Sequence, residues 1–274
     1  MAASQTKLRW EEEAAFFDRV AEQQAQKVLS VDPLTIQRYG AAHPRRRFNK
    51  EFRFCVLKDL QGKQILDVGC GDGVNSVLLA KLGAHVTGID ISPGSIELAK
   101  RKAEISGVSA AVRFVCSPLE EAEMPASHFD LIWGDAILHH LIENLDLLLR
   151  RLTLWAKPGA SMLFAEPVNF NAALRRLRFK VPVKTDTTPG ERPLEPAELQ
   201  TVRRYLPDLQ VRIFSLFGRL DRFILTDFNY ERSSLLRRAL VNGLAILDYA
   251  LLSFPLVRNM GGQAVIYGHT ANGK

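Results

Sequence analysis

The run Gln64-Ile-Leu-Asp67-Val-Gly69-Cys-Gly71-Asp-Gly73 decides how the rest of the chain is read. Its first half is short and apolar, and its second half has glycine at every second position. This is the pattern of a buried strand that ends in a tight turn. Glycine adopts backbone conformations closed to other residues and lets main chain approach a ligand. The helix that follows such a turn presents free N–H groups, which suit a carboxylate. A second acid, Asp90, ends the next apolar run, Val86-Thr-Gly-Ile-Asp90, 23 residues after Asp67. An acid about 20 residues beyond a glycine turn holds ribose hydroxyls in nucleoside-binding sheets. The dinucleotide fingerprint does not apply, because its last glycine position is Val74 here. Asp67, two residues before the first glycine, suits the ammonium of an amino acid. Glycine turn and two acids together describe a site for a nucleoside-linked amino acid.

Around this turn, short apolar runs alternate with helical periodicity. Strands are expected near 64–68, 84–89, 111–116, 129–133 and 160–165, with helices near 74–82, 94–106 and 142–156 between them. Two further strands fit 209–217 and 263–269. The expected fold class is α/β, a doubly wound, mostly parallel, seven-stranded Rossmann-like sheet. Residues 1–60 read as a helical extension, with an amphipathic helix over 9–29, a break at Asp32-Pro33 and a helix from Phe48 to Leu60. Residues 61–170 form the binding core. Residues 171–274 supply acceptor-side loops, a lid helix and the last strands of the same domain. Within them, 171–180 reads as a basic helix and the proline-rich 182–196 as a loop or lid.

The segment 60–170 resembles the class I S-adenosylmethionine-dependent methyltransferases of small-molecule type, and in its core the ubiquinone-pathway O-methyltransferases. Four segments in order carry the likeness. They are the glycine turn, the acidic strand end at Asp90, Phe129-Asp130-Leu-Ile-Trp-Gly-Asp135 with Ile137-Leu-His-His-Leu141, and Lys157-Pro-Gly159 before the fifth strand. The resemblance implies S-adenosyl-L-methionine as cofactor, held by Asp67, Gly69, Cys70, Gly71, Gly73, Asp90, Ile91 and Gly134. One departure concerns adenine. Where many members place an Asp after the third strand, this chain has Ser117-Pro-Leu119, so Ser117 or a main-chain carbonyl takes that role and Leu119 packs on the ring.

Methyl transfer asks the protein to align the acceptor, exclude water and, for a hydroxyl or acidic carbon, remove a proton. His139 and His140 follow the fourth strand, where imidazole suits that task; a single family histidine matches His140, which equally serves as a structural hydrogen-bonding group. The glutamates near this histidine in the ubiquinone-pathway enzymes correspond to Ala136 and His139, and no metal is expected. Glu166, at the end of the fifth strand, and Arg175 and Arg178 are expected to frame the acceptor pocket.

The composition, 47% hydrophobic and 24% charged over 274 residues, is that of a globular protein. Cys55, Cys70 and Cys116 are odd in number and lack C-x-x-C spacing, which fits a reducing compartment. No secretory pattern opens the chain, and the expected location is cytoplasmic, with peripheral membrane contact in reserve. The net charge of +6 permits anionic partners without choosing among them. Residues 239–254 form an apolar run carrying one charge, Asp248, flanked by Arg237, Arg238 and Arg258. It is shorter than a bilayer requires, and reads as a lid helix over 235–257 or an interfacial helix on an anionic membrane. The expected reaction is methyl transfer to a small lipophilic or aromatic acceptor, with no nucleic-acid partner. The alternatives are an RNA or protein methyltransferase and a non-methylating cofactor-binding protein on the same fold.

Overall fold

A computed structural model describes residues 2–25, 28, 30–41, 46–178, 191–226 and 230–272. Seven strands form one sheet: β1 (Gln64–Val68), β2 (His85–Asp90), β3 (Val112–Cys116), β4 (Phe129–Asp135), β5 (Ala156–Pro167), β6 (Gln210–Phe214) and β7 (Gln263–His269). Their order is β3-β2-β1-β4-β5-β7-β6. Pairs from β3 to β5 are parallel, and β7 runs antiparallel to both β5 and β6. The sheet reverses its winding between β1 and β4, so the rim at their carboxyl ends is where a ligand is received.

Alternation along the strands divides the core. On β1, Ile65 faces one side and Leu66 and Val68 the other, all fully buried. The first side is closed by Val77, Leu78 and Leu79 of a helix at Val74–Lys81. The second is closed by Leu145, Leu148, Leu149 and Leu152 of a helix at Leu145–Trp155. The strand positions follow the sequence reading closely. One difference lies at Lys157-Pro-Gly159, which falls inside β5: Phe129 pairs with Ala156 but Leu131 with Ser161, so the intervening residues bulge within the strand.

Helices cover the rim from both chain ends. Numbered along the chain, α1 (Ala2–Ala25), α2 (Pro33–Gly40) and α3 (Asn49–Leu57) precede the sheet. The two core helices just described are α4 and α6, and α5 (Pro93–Ile105) lies between them. Asp18 of α1 accepts from Ser92 Oγ at 2.6 Å and from Gly94 N at 2.8 Å, which fastens α1 to the start of α5. The first helix starts and stops earlier than the expected 9–29, and α3 ends at Leu57 rather than Leu60. After β5 come α7 (Ala172–Arg178), α8 (Pro196–Tyr205), α9 (Asp221–Ile224) and α10 (Leu235–Leu251). The sequence reading lacked α2 and α8. Both begin at proline, the first behind an Asp32 cap and the second inside a Glu195–Glu198 capping box. The expected lid at 182–196 lies outside the described residues up to position 190.

The helix expected over 235–257 ends at Leu251. Its one acid, Asp248, is buried and accepts from Phe217 N at 2.9 Å and Gly218 N at 2.8 Å, docking the segment before α9 onto α10. Asp248→Ala leaves those N–H groups without a charged acceptor. It should lower unfolding free energy by about 2–3 kcal/mol in urea denaturation; a change below 0.5 would show that water replaces the carboxylate (order of magnitude, ~0.5 kcal/mol).

Candidate active site

One cavity of about 410 Å³ opens at the rim between β1, β2 and β4. Gly69, Gly71, Asp90, Ile91, Ser117 and Leu119 line one part of it, and His139 and His140 another. Helix α1 contributes Trp10, Glu13 and Phe17, and Glu191 arrives from the segment before α8.

The glycine turn forms as its spacing predicts, but its glycines do different work. Gly69 has φ of 66°, and a Cβ there would lie 2.6 Å from Ile137 Cδ1. Gly71 has φ of 50° and open space where a Cβ would be, so its bare backbone faces the cavity. Asp90 organises this wall. Its Oδ2 accepts from Gly71 N at 2.8 Å and its Oδ1 from Ser92 N at 2.9 Å. Burial raises its pKa, and those two N–H groups work against the rise. Each carboxylate oxygen retains acceptor capacity toward the cavity, as a pair of vicinal hydroxyls requires.

Five expected contact residues sit behind the wall instead of on it. Asp67 is 1% exposed and accepts from Ser76 Oγ of α4 at 2.5 Å, with burial pushing its carboxyl up to about 7. It therefore ties α4 to β1 and does not line the cavity, where an ammonium was expected to meet it. Cys70 is buried beneath Gly88, Gly73 packs on Ala99, and Gly134 packs on Phe164 and Ile137. Glu166, expected in the acceptor pocket, is 2% exposed and accepts from Ile137 N at 2.9 Å and Leu138 N at 2.8 Å. For Arg175 and Arg178 only the helix is described; their side chains lie outside the described residues.

A strand-end acid that does line the cavity, beside Asp90, is Asp135 at the end of β4. It bonds Arg53 Nη1 at 2.8 Å and Asn75 Nδ2 at 3.1 Å. Burial would raise its pKa, but Arg53 and Lys50 outweigh this and keep it below the usual carboxylate range. In the sequence Asp135 only closes the fourth-strand segment, and its position there implies no role. Its partners come from α3 and α4, and no local spacing announces them. Arg53 also lines a second cavity of about 440 Å³, together with Arg38, Lys50, Tyr230, Glu231 and, from α10, Val241.

Beyond β4, Ala136 takes φ of 59° and turns the chain into a single helical turn at Leu138–His140. Glu166 fixes this turn and, through Oε2, bonds His139 Nδ1 at 2.9 Å. With Nδ1–H donated to that carboxylate, Nε2 is left as the acceptor. His140 has a different environment. Its Nδ1 lies 2.9 Å from Glu191 and 3.3 Å from Glu13. Burial alone would favour the neutral ring, but the two glutamates outweigh it and hold His140 up to about 9. The two glutamates thus favour the charged ring, and through it α1 and residue 191 are brought together. His139, His140 and Glu191 bring donor atoms within 4.8 Å of one another, the one such grouping among the described residues.

Fit to a nucleoside-linked amino acid can be judged from these atoms. Asp90 offers a carboxylate edge, Gly71 an uncovered backbone and Asp135 an anion. Trp10 Nε1, on the cavity wall, is a buried donor with no partner among the described residues.

Comparison with known proteins agrees with this architecture. Residues 65–159 match the family model described as a methyltransferase domain. A ubiquinone biosynthesis O-methyltransferase of Coxiella burnetii is 36% identical over 106 residues, 39% of this chain and 44% of that protein. The mitochondrial counterpart of Schizosaccharomyces pombe is 38% identical over 88 residues, 32% of each. The chain thus spans less than half the length of these relatives. Among solved structures, geranyl diphosphate C-methyltransferase from Streptomyces coelicolor superposes with a TM-score of 0.55, at 12% identity, over 96% of this chain and 98% of its own. The [4+2]-cyclase SpnF superposes with a TM-score of 0.52, at 23% identity, over 78% and 77%. The fold is that of the class I methyltransferases. Residues 65–159 are thus similar to methyltransferase domains.

The clamp at His140 makes stability depend on pH. A pKa raised from 6.5 to about 9 contributes stability that is full below 6.5 and is lost progressively up to about 9. Lys50, lowered by burial to about 8, works in the opposite sense over nearby pH. The informative quantity is therefore the difference between wild type and His140→Gln. That gap should be on the order of 2–3 kcal/mol at pH 6 and should close by pH 9.5 or so. A gap that stays constant across melts at these pH values would mean His140 is neutral in the fold.

Proposed function

We propose that this chain transfers a methyl group from S-adenosylmethionine to a small lipophilic or aromatic acceptor. The observation that carries the reading is the meeting, in one cavity, of the Asp90–Gly71 wall with the Glu166-oriented His139. Asp90 and Gly71 would hold ribose and backbone-facing atoms, Ser117 and Leu119 the base, and Asp135 the ammonium. Bound there, the cofactor supplies a methyl group on a positively charged sulfur, already electrophilic. The chain's own contribution is alignment, water exclusion and proton removal. Trp10, Phe17 and Leu141 offer an aromatic and apolar wall, which favours a flat or hydrocarbon-rich acceptor over a polar one. His139 Nε2 would take the acceptor's proton, with Glu166 holding the tautomer and stabilising the imidazolium that forms. His140, already protonated, is not the base; it keeps α1 and Glu191 in place over the reacting groups. The curated relatives carry names for O-methylation in ubiquinone biosynthesis, which supports a hydroxyl acceptor on a lipophilic aromatic.

Incubation with methyl-labelled cofactor tests the acceptor class directly. Label should enter a lipid and metabolite extract; faster incorporation into total RNA or cell protein would overturn the small-molecule assignment. No incorporation anywhere, with cofactor bound, would favour the non-methylating reading.

Two substitutions test the site. Asp90→Ala should weaken cofactor binding in calorimetry by roughly 1.5–3 kcal/mol, the loss of a charge-assisted hydrogen bond. Unchanged affinity in a folded variant would remove the ribose assignment. His139→Gln should lower kcat by roughly 10²–10⁴ with cofactor affinity intact, and Glu166→Gln should lower it less. Equal turnover in wild type and His139→Gln would place the base elsewhere.

A further inference from the structure

Helix α10 carries apolar side chains on its solvent face as well as toward the protein. Its inner face buries Val241 and Asp248 against the protein. Its outer face is entirely without polar side chains along the arc that holds Leu235, Leu236, Leu240, Ile246 and Leu247. At about 100° per residue these five fall within an arc of about 140°. Leu235 is 82% and Leu236 72% exposed, and Phe223 of the adjoining α9, at 76%, extends the patch. A helix that stays apolar on its solvent side marks an interaction surface.

Charge identifies the partner. Arg222 and Arg237 are exposed beside this face, the Arg237 guanidinium donating to the Thr226 hydroxyl, and Arg258, past the end of α10, is exposed too. Arg238, expected beside them, is turned inward onto the carbonyls of Ser233 and Glu231. The acids nearby are spent: Asp248 is buried under Phe217 and Gly218, and Glu231 pairs with Arg38. Asp221 is half-buried, and Asp227 lies outside the described residues. No described helix is long and apolar enough to cross a membrane.

We propose that the outer face of α10, with Phe223, docks the protein flat on an anionic lipid bilayer. The helix lies in the interface with its apolar side in the acyl boundary and the arginines at the level of the phosphates. Its inner side, at Val241, lines the second cavity. One helix diameter, about 10 Å, then separates the membrane from that cavity. The docking does not rest on the methyltransferase reading.

The test is co-sedimentation of the whole chain with vesicles of phosphatidylcholine, alone or mixed with phosphatidylglycerol. At low salt the protein should pellet with the mixed vesicles and be released by high salt. Leu236→Glu with Leu240→Glu, both at exposed positions, should reduce partitioning on the order of 100-fold. Arg222, Arg237 and Arg258 changed together to Gln should reduce it by a similar factor on anionic vesicles only. Circular dichroism and cofactor calorimetry on the same variants should match wild type. Failure to pellet with either vesicle overturns the proposal, as does pelleting unchanged by the double-Glu variant. Light scattering that shows a dimer broken by that variant, without vesicle binding, would make the face a contact between copies instead. A chain that docks yet binds no cofactor would remove the catalytic reading and leave the docking standing.

Discussion

The Asp90 carboxylate is the joint on which this site depends. One oxygen takes the N–H of Gly71 and the other that of Ser92, so a single side chain holds the glycine turn, the end of β2 and the start of α5 in one arrangement. Ser92 in turn caps α5 and donates to Asp18, which brings α1 down over the rim. The wall, the floor and the roof of the cavity are therefore connected through hydrogen bonds that begin at one half-buried acid. Charged acceptors make stronger hydrogen bonds than neutral ones, and in a partly dry site that difference grows.

The four acids near the rim are sorted by their surroundings. Asp67, enclosed with only a hydroxyl donor, is pushed toward the neutral form. Asp135, one strand away, is kept ionised by Arg53. Glu166 is committed to main-chain N–H groups and one imidazole. Asp90 alone both supports the backbone and faces the cavity. Residue type does not distinguish these roles; burial and the nearest cation do.

This explains which parts were legible from sequence. The strands, the glycine turn and Asp90 are encoded locally, since a turn needs particular residues at adjacent positions. The residues Asp67, Glu166 and Asp135 were visible as acids at strand ends, but their duties depend on Ser76, Ile137 and Arg53, brought in by packing. The clamp on His140 joins Glu13 and Glu191, which lie at distances along the chain where spacing carries no information. Helices α2 and α8 went unread because each is short and announces itself mainly by its cap. The resemblance to known methyltransferases ends near residue 170, and the acceptor side beyond it had only composition to guide the reading.

The position of β7 bears on how the molecule is assembled. The last strand in sequence is not at an edge: it is inserted between β5 and β6 and pairs antiparallel with both. Until residues 263–269 are made, β6 has no neighbour in the sheet, and β5 shows an open row of backbone groups on one side. The earlier strands, β1 to β5, include nearly all the cavity wall and can zip together as they emerge during synthesis. The acceptor side must wait for β7. A nascent chain would thus pass through a stage with its acceptor side unbuilt and an unpaired strand edge exposed, the kind of species that chaperones shield.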